Sequence, residues 1–278
     1  MGTFKKMIKT ILIYVIILFS LLSASWNDVG EGLSYQIFDA EKKSLIGDSK
    51  IVVVKINPNI YNINLFSSEQ YKHEKLTAKE WSEKYNLTVV INAGMFQTDH
   101  SSNVGYMKEF DYMNNGYINS YQSVAAFNPK NPNMDPFKIF DIEKINGVLK
   151  KDHIREIINN YNSVVQNLRL IKRPKENRWS QQKKKWSEVA LGEDKDGNVL
   201  LFFCRSPYSM YDFNEMLINL PINIECAQHL EGGPEASLYI KSSDVELAFN
   251  GSYESFFVEA DNNNTFWTLP NIIGFTKK

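Results

Sequence analysis

The stretch between residues 199 and 239 constrains the fold more than any other part of the chain. Residues 199–204 (Val-Leu-Leu-Phe-Phe-Cys) form an apolar run with the character of a buried strand. Ser209 and Asp212 then supply capping side chains ahead of Phe213, Met216, Leu217 and Leu220, which line one face of a helix. Residues 222–230 are a second apolar run, ending at Glu231-Gly232-Gly233-Pro234-Glu235. Strand, short helix and returning strand predict a β-α-β crossover between parallel strands near residues 199–230. Arg205-Ser206-Pro207 then falls at the carboxyl end of one strand and Glu231-Gly232-Gly233 at the carboxyl end of the other, where open sheets gather ligands. Glycine permits a sharp turn and close approach, proline stops a regular ladder, and carboxylates placed there can do acid–base work. Without that chemistry, the same residues make a plain surface turn.

The rest of the chain alternates short strands and turns, with two further helices. Strand-like runs fall at residues 33–38, 51–56, 60–65, 87–91, 123–127, 137–142, 163–171, 189–191 and 267–275. Thr77 and Glu80 form a capping box ahead of a helix over residues 78–85, with Trp81 and Tyr85 on one face. Asp152 is placed to cap a helix over residues 153–161. The predicted class is α+β: a mixed β-sheet core with flanking helices. Residues 97–122 crowd Asp99, His100, Asn103, Glu109 and Asp111 around Gly105 and Gly116, which suggests a binding loop. Its expected frame is a hairpin pairing residues 106–110 with 117–121, because Asn115-Gly116 is a strong turn signal. Residues 172–186 read as a basic, solvated loop, with Trp179 and Trp186 placed to cover a sugar ring.

Lys5, Lys6 and Lys9 precede an apolar run over residues 11–22 and the small residues Ser23-Ala24-Ser25. This is the pattern of a signal peptide, or of a short anchor if it stays uncleaved. The expectation is an exported protein (periplasmic, extracellular or held at a membrane by residues 1–25), with its functional domain over residues 26–278. A formal net charge of −1 gives no electrostatic footprint for nucleic acid. Cys204 and Cys226 each lie in an apolar run and read as buried free thiols. With four histidines and no Cys-x-x-Cys spacing, no metal site and no cofactor are predicted, although an all-oxygen divalent cation site in the Asp and Asn loops stays open.

A second strand end, Ile91-Asn92-Ala93-Gly94-Met95-Phe96, completes a pattern with the acidic Gly-Gly turn at Glu231. Strand, Arg-Ser loop, capped helix, strand and acidic turn follow in order from residue 197 to 239. Together these motifs resemble the phosphodiester glycosidase domain, the family of the lysosomal uncovering enzyme, over residues 33–275. Three departures stand out. The family often has Asp-Gly-Gly-Gly-Ser where this chain has Glu231-Gly232-Gly233-Pro234-Glu235. It often has Gln-Ser-Gly-Pro at Gln166-Asn167-Leu168-Arg169, and an Arg where Ser187-Glu188 precede Gly192.

The resemblance implies hydrolysis of a sugar-1-phosphodiester at the anomeric carbon. Glu231 is the key carboxylate, with Glu235 or Asp111 second. Arg169 and Arg205 are candidates to bind the phosphate, since guanidinium forks match its oxygens. Asn92, Gly94, Gly232 and Gly233 would bind hydroxyls or oxyanions. The partner is a sugar phosphate or phosphorylated glycan. The competing reading is a non-catalytic envelope module that binds phosphorylated glycans in the same cleft. The two arginines discriminate: convergence on Glu231 favours the enzyme, side chains directed elsewhere favour the binder.

Overall fold

A computed structural model describes residues 26–72 and 74–278; the expected signal segment lies outside the described residues. Three large sheets carry the fold. The first has eight strands in the order β1 (Asn27–Gly30), β2 (Leu33–Asp39), β3 (Lys50–Ile56), β16 (Val199–Tyr208), β15 (Trp186–Asp194), β17 (Ile224–Gly232), β13 (Arg169–Lys172) and β14 (Glu176–Asn177). The second runs β7 (Tyr112–Asn115), β6 (Met107–Glu109), β12 (Tyr161–Asn167), β8 (Ser123–Pro129) and β9 (Phe137–Asp141). The third runs β19 (Glu246–Asn250), β18 (Ser237–Lys241), β5 (Val89–Asn92), β20 (Asn271–Lys277) and β4 (Tyr61–Ser67). A short hairpin, β10 (Lys144–Ile145) and β11 (Val148–Leu149), leads into helix α2 (Lys151–Asn160). The other helices are α1 (Ala78–Tyr85) and α3 (Met210–Asn219).

Alternation along the strands explains how these layers pack. In β3, Val52, Val54 and Ile56 turn to a core shared by all three sheets, together with Ile91 of β5 and Phe127 of β8. Ile51 and Val53 turn the other way, towards Phe213, Met216 and Leu217 of α3. The outer face of the second sheet packs on Ile154 and Ile157 of α2, and that of the third on Ala78 and Trp81 of α1. Each sheet therefore faces the common core on one side and a single helix on the other.

The α+β expectation holds only in its coarse form. Among the described residues strands account for 46% and helices for 12%, so the fold is β-rich with three small helices rather than an even mixture. The crossover over residues 199–230 is present, with β15 between its two strands. Both β16 and β17 pair antiparallel with β15, so they run in the same direction without touching. Cys204 lies opposite Glu188 on one side of β15 and Cys226 opposite Glu193 on the other; both are free and buried.

Three local expectations differ. The hairpin is tighter than predicted: Glu109 pairs with Tyr112, and the turn falls at Phe110 and Asp111, with Phe110 at φ 48. The amides that suggested a turn are used elsewhere. Asn114 Oδ1 accepts from the Asn103 N–H at 2.7 Å, and Asn115 Nδ2 donates to the Asn103 carbonyl at 2.7 Å, fastening the preceding loop. Helix α2 starts at Lys151 with Lys150 at its cap and no side-chain cap, because the β10–β11 hairpin feeds it directly; Asp152 instead pairs with Arg155 at 2.5 Å. The run over residues 163–171 is two strands in different sheets, broken at Leu168. The Thr77–Glu80 capping box and the Ser209 cap form as predicted.

Candidate active site

The chain passes from the first sheet to the third at the acidic turn. β17 ends at Gly232, a 3-10 turn covers Gly233–Glu235, and β18 begins at Ser237 beside β5. Gly233 sits at φ +68, a region that side-chain-bearing residues rarely adopt, and Glu254 Oε2 lies 2.8 Å from where its Cβ would be. The turn is pinned from two directions. Asn92 Nδ2 donates to the Glu235 carbonyl at 3.1 Å while its Oδ1 accepts from the Ser237 N–H at 2.8 Å. Asn263 Nδ2 donates to the Gly251 carbonyl at 2.7 Å and reaches the Pro234 carbonyl at 3.4 Å.

Four carboxylates and one imidazole gather around this turn. Burial pushes the Glu231 carboxyl up to about 8, with the Glu235 and Glu254 charges adding to the rise. The His229 charge and the Gly232 N–H, at 3.0 Å, pull it back. Burial likewise raises Glu235 to about 7, helped by Glu254. Glu254 is raised by burial, against the pull of Lys184 and then His229. Behind them lies a dry pair, Glu188 and His229, at 4% and 3% exposure. Glu188 Oε1 is hydrogen-bonded to His229 Nδ1 and Oε2 accepts from Trp186 Nε1. Burial alone would lower the His229 pKa, yet the Glu188 carboxylate, with Glu231 and Glu254 beyond it, raises it. The coupling is mutual: charge on His229 opposes the rise of the Glu231 and Glu254 carboxyls.

A cleft of about 270 Å³ opens beside Glu235, walled by Phe96, His100, Trp267 and Pro270, with Lys75 at its edge. Phe96 follows directly from the Asn92-Ala93-Gly94 strand end, and its ring lies 5.7 Å from that of His100. Among the described residues no three His, Cys, Asp or Glu side chains are grouped to hold a metal ion.

The residues singled out from sequence separate into groups. Glu231, Glu235, Gly232 and Gly233 lie together at the turn. Asn92 is buried, and both ends of its amide are occupied in fastening that turn. Gly94 lies against Asn103 and Asn167, whose amides come within 2.6 Å and 2.7 Å of its missing Cβ. Asp111 stands apart on the exposed hairpin turn. Arg205 is engaged elsewhere: it donates to the Asn250 and Asn263 carbonyls at 2.8 Å and 2.9 Å and pairs with Asp261 at 2.7 Å. Arg169 faces Asp141 at 3.5 Å and lines a different cleft. Sequence reasoning missed Glu188, His229, Glu254, Lys75 and Trp267. Glu188 carried a signal, since it stands where the resembling family has Arg; Glu254 carried none, because its loop joins the site only through the tertiary fold.

Clustered carboxylates beside an aromatic-walled cleft on a rigid β scaffold are the equipment of a glycosidase-type hydrolase. The chain belongs to the phosphodiester glycosidase family, whose sequence pattern matches residues 85–276. Among solved structures it is similar to the zebrafish N-acetylglucosamine-1-phosphodiester alpha-N-acetylglucosaminidase catalytic domain, described as auto-inhibited by its pro-peptide. That match has a TM-score of 0.63 and 15% identity and covers 92% of this chain and 87% of the other. A hypothetical protein from Synechocystis matches with a TM-score of 0.68 and 12% identity, over 91% of this chain and 64% of its own length. At these identities the likeness is one of fold. No curated protein matches the chain in sequence.

Proposed function

We propose that the protein hydrolyses a sugar-1-phosphodiester at the anomeric carbon, with Glu231 as the key carboxylate and Glu235 as its partner. The observation that carries this reading is a pair of neighbouring carboxyls raised to different levels, Glu231 to about 8 and Glu235 to about 7. At neutral pH the first keeps its proton while the second is partly ionised, which is how one site holds an acid and a base together. Glu231 gives its proton to the glycosidic oxygen as the bond to the anomeric carbon breaks, the phosphate departs as a phosphomonoester, and the Glu235 carboxylate takes a proton from the water that attacks the sugar. Phe96 and Trp267 offer ring faces to the sugar, and Lys75 offers charge to the phosphate. The reading includes export through residues 1–25 and requires no cofactor.

One observation favours the second reading, a non-catalytic module that binds phosphorylated glycans: neither Arg169 nor Arg205 is directed at the carboxylates. Hydrolysis of a panel of sugar-1-phosphodiesters by residues 26–278 separates the two. Glu231→Gln is expected to cut release of free sugar by about 100-fold or more. Native activity is expected to fall as pH rises through about 8, where Glu231 loses its proton. No turnover on any member, with glycan-phosphate binding kept by both proteins, would transfer the assignment to the binding module.

A further inference from the structure

Arg169, displaced from the carboxylates, lines a second cleft of about 270 Å³. Its walls include the rings of Tyr121 and Trp179, and Lys144 and Arg178 bring two more cations to the rim. The Trp179 ring is anchored directly, and the backbone that carries Tyr121 is held in place. Trp179 Nε1 donates to the Arg169 carbonyl at 2.7 Å, and Gln166 Nε2 holds the Tyr121 carbonyl at 2.8 Å. Arg169 Nη1 is buried with no hydrogen-bond partner, its contact to Asp141 being a long 3.5 Å. An unsatisfied buried guanidinium donor is costly unless something accepts from it. The acids nearby do not cancel the cations. Glu176 holds Arg178 at 2.6 Å, Glu143 holds Lys172 at 3.1 Å, and Asp141 faces Arg169, while no ion pair is recorded for Lys144 among the described residues.

The cleft lies beside β17, the strand that carries Glu231: Arg169 is on β13, the neighbour of β17. Arg169 pairs with Gln228, three positions before Glu231 on β17, a separation of roughly 10 Å at about 3.3 Å per residue. The reacting centre is rich in carboxylates, whereas around the neighbouring cleft Arg169, Lys172, Arg178 and Lys144 outnumber Asp141, Glu143 and Glu176 by one.

We propose that the cleft between Tyr121 and Trp179 is a second binding site, a subsite that takes a phosphorylated sugar unit of a polymeric substrate while another unit is cleaved at Glu231. The aromatic faces carry the ring, and Arg169, Arg178 and Lys144 take the phosphate oxygens. Its volume suits one sugar-phosphate unit, being below the usual range for larger ligands. The link to catalysis rests on the function proposed above; the binding does not.

The test uses glucose 1-phosphate as probe, with free glucose as the comparison. The readout is the ¹⁵N indole resonance of Trp179, assigned with Trp179→Phe, in the native protein and in Glu231→Gln. The probe is expected to move this resonance, and free glucose to do so far more weakly. Lys144→Gln combined with Arg178→Gln, both at exposed positions, is expected to weaken probe binding about tenfold or more through lost charge-assisted contacts. An unmoved Trp179 resonance, an equal response to free glucose, or unchanged affinity in the double variant would each overturn the proposal. If the Trp179 response and its charge dependence hold while no sugar phosphodiester is turned over, the binding site stands and the catalytic reading alone fails.

Discussion

Replacing Gly232 by Ala tests the geometry behind the carboxylate cluster. Gly232 has φ −134, an extended backbone that alanine adopts without strain, so any cost comes from the space its methyl group enters. That methyl would lie 2.5 Å from Trp186 Cδ1, 3.0 Å from Cγ and 3.1 Å from Nε1. Carbon atoms settle at about 3.5–4.0 Å, so the indole must retreat by about 1 Å. Overpacking of this kind costs about 1–3 kcal/mol. The retreat also stretches the Trp186 Nε1 bond to the buried Glu188 carboxylate, and a bond to a charged group contributes about 1.5–3 kcal/mol. We expect Gly232→Ala to lower stability by about 3 kcal/mol, measured by urea denaturation. In a Trp186→Ala background the same change should cost less than about 1 kcal/mol, because the obstructing ring is gone. Equal costs in the two backgrounds, or a cost near zero in the native protein, would refute the account. Gly116 is the control: its nearest neighbour is Met113 Sδ at 3.9 Å, so Gly116→Ala should leave stability nearly unchanged.

Three other outcomes are expected. Burial holds the Glu109 carboxyl at about 7, above its unfolded value, so the folded state binds the extra proton between about pH 4.5 and 7. Its contribution to stability is complete below that window and is lost as pH rises through about 7. Glu109→Gln should therefore remove about 3 kcal/mol of pH dependence from denaturation midpoints across the window. Thr77→Ala should destabilise by about 1 kcal/mol and raise the Glu80 pKa, since Thr77 supplies the bonds that lower it. Arg205→Met removes the side chain that ties Asn250, Asn263 and Asp261 together; hydrogen exchange at Ser252 and Asn263 should accelerate about tenfold, with a stability loss of about 2 kcal/mol.

Local chemistry was legible in the sequence wherever a signal spans a few residues. The Thr77–Glu80 box marked the start of α1, and the strand-like run over residues 60–65 marked β4, in which Tyr61, Ile63 and Leu65 turn inward. The Glu231 turn was visible because glycines and a proline punctuate the end of the apolar run over residues 222–230. Long-range pairing was not legible. The break at Leu168 leaves no local mark, and residues 163–171 read as a continuous strand although they serve two sheets. Asn115-Gly116 misled because tertiary bonds from Asn114 and Asn115 to Asn103 outweighed its turn propensity. Charge marks Arg169 and Arg205 in the sequence, but side-chain direction decides their role. Arg205 lies inside β16, which runs on to Tyr208 instead of ending at Cys204, and turns towards the loop that carries Glu254.

The third sheet has a consequence for when the site can exist. β5 ends at Asn92, but its two partners, β18 and β20, lie beyond residue 236, and the turn bearing Glu231 and Glu235 lies just before β18. A nascent chain that has emerged only through the first two thirds of its length carries Asn92 without the turn that it fastens and Phe96 without Trp267 and Pro270 across the cleft. Closing such distant pairings is slow, because long loops lose their freedom before any contact compensates. The carboxylates therefore cannot meet their cleft until β18 and β20 have been made.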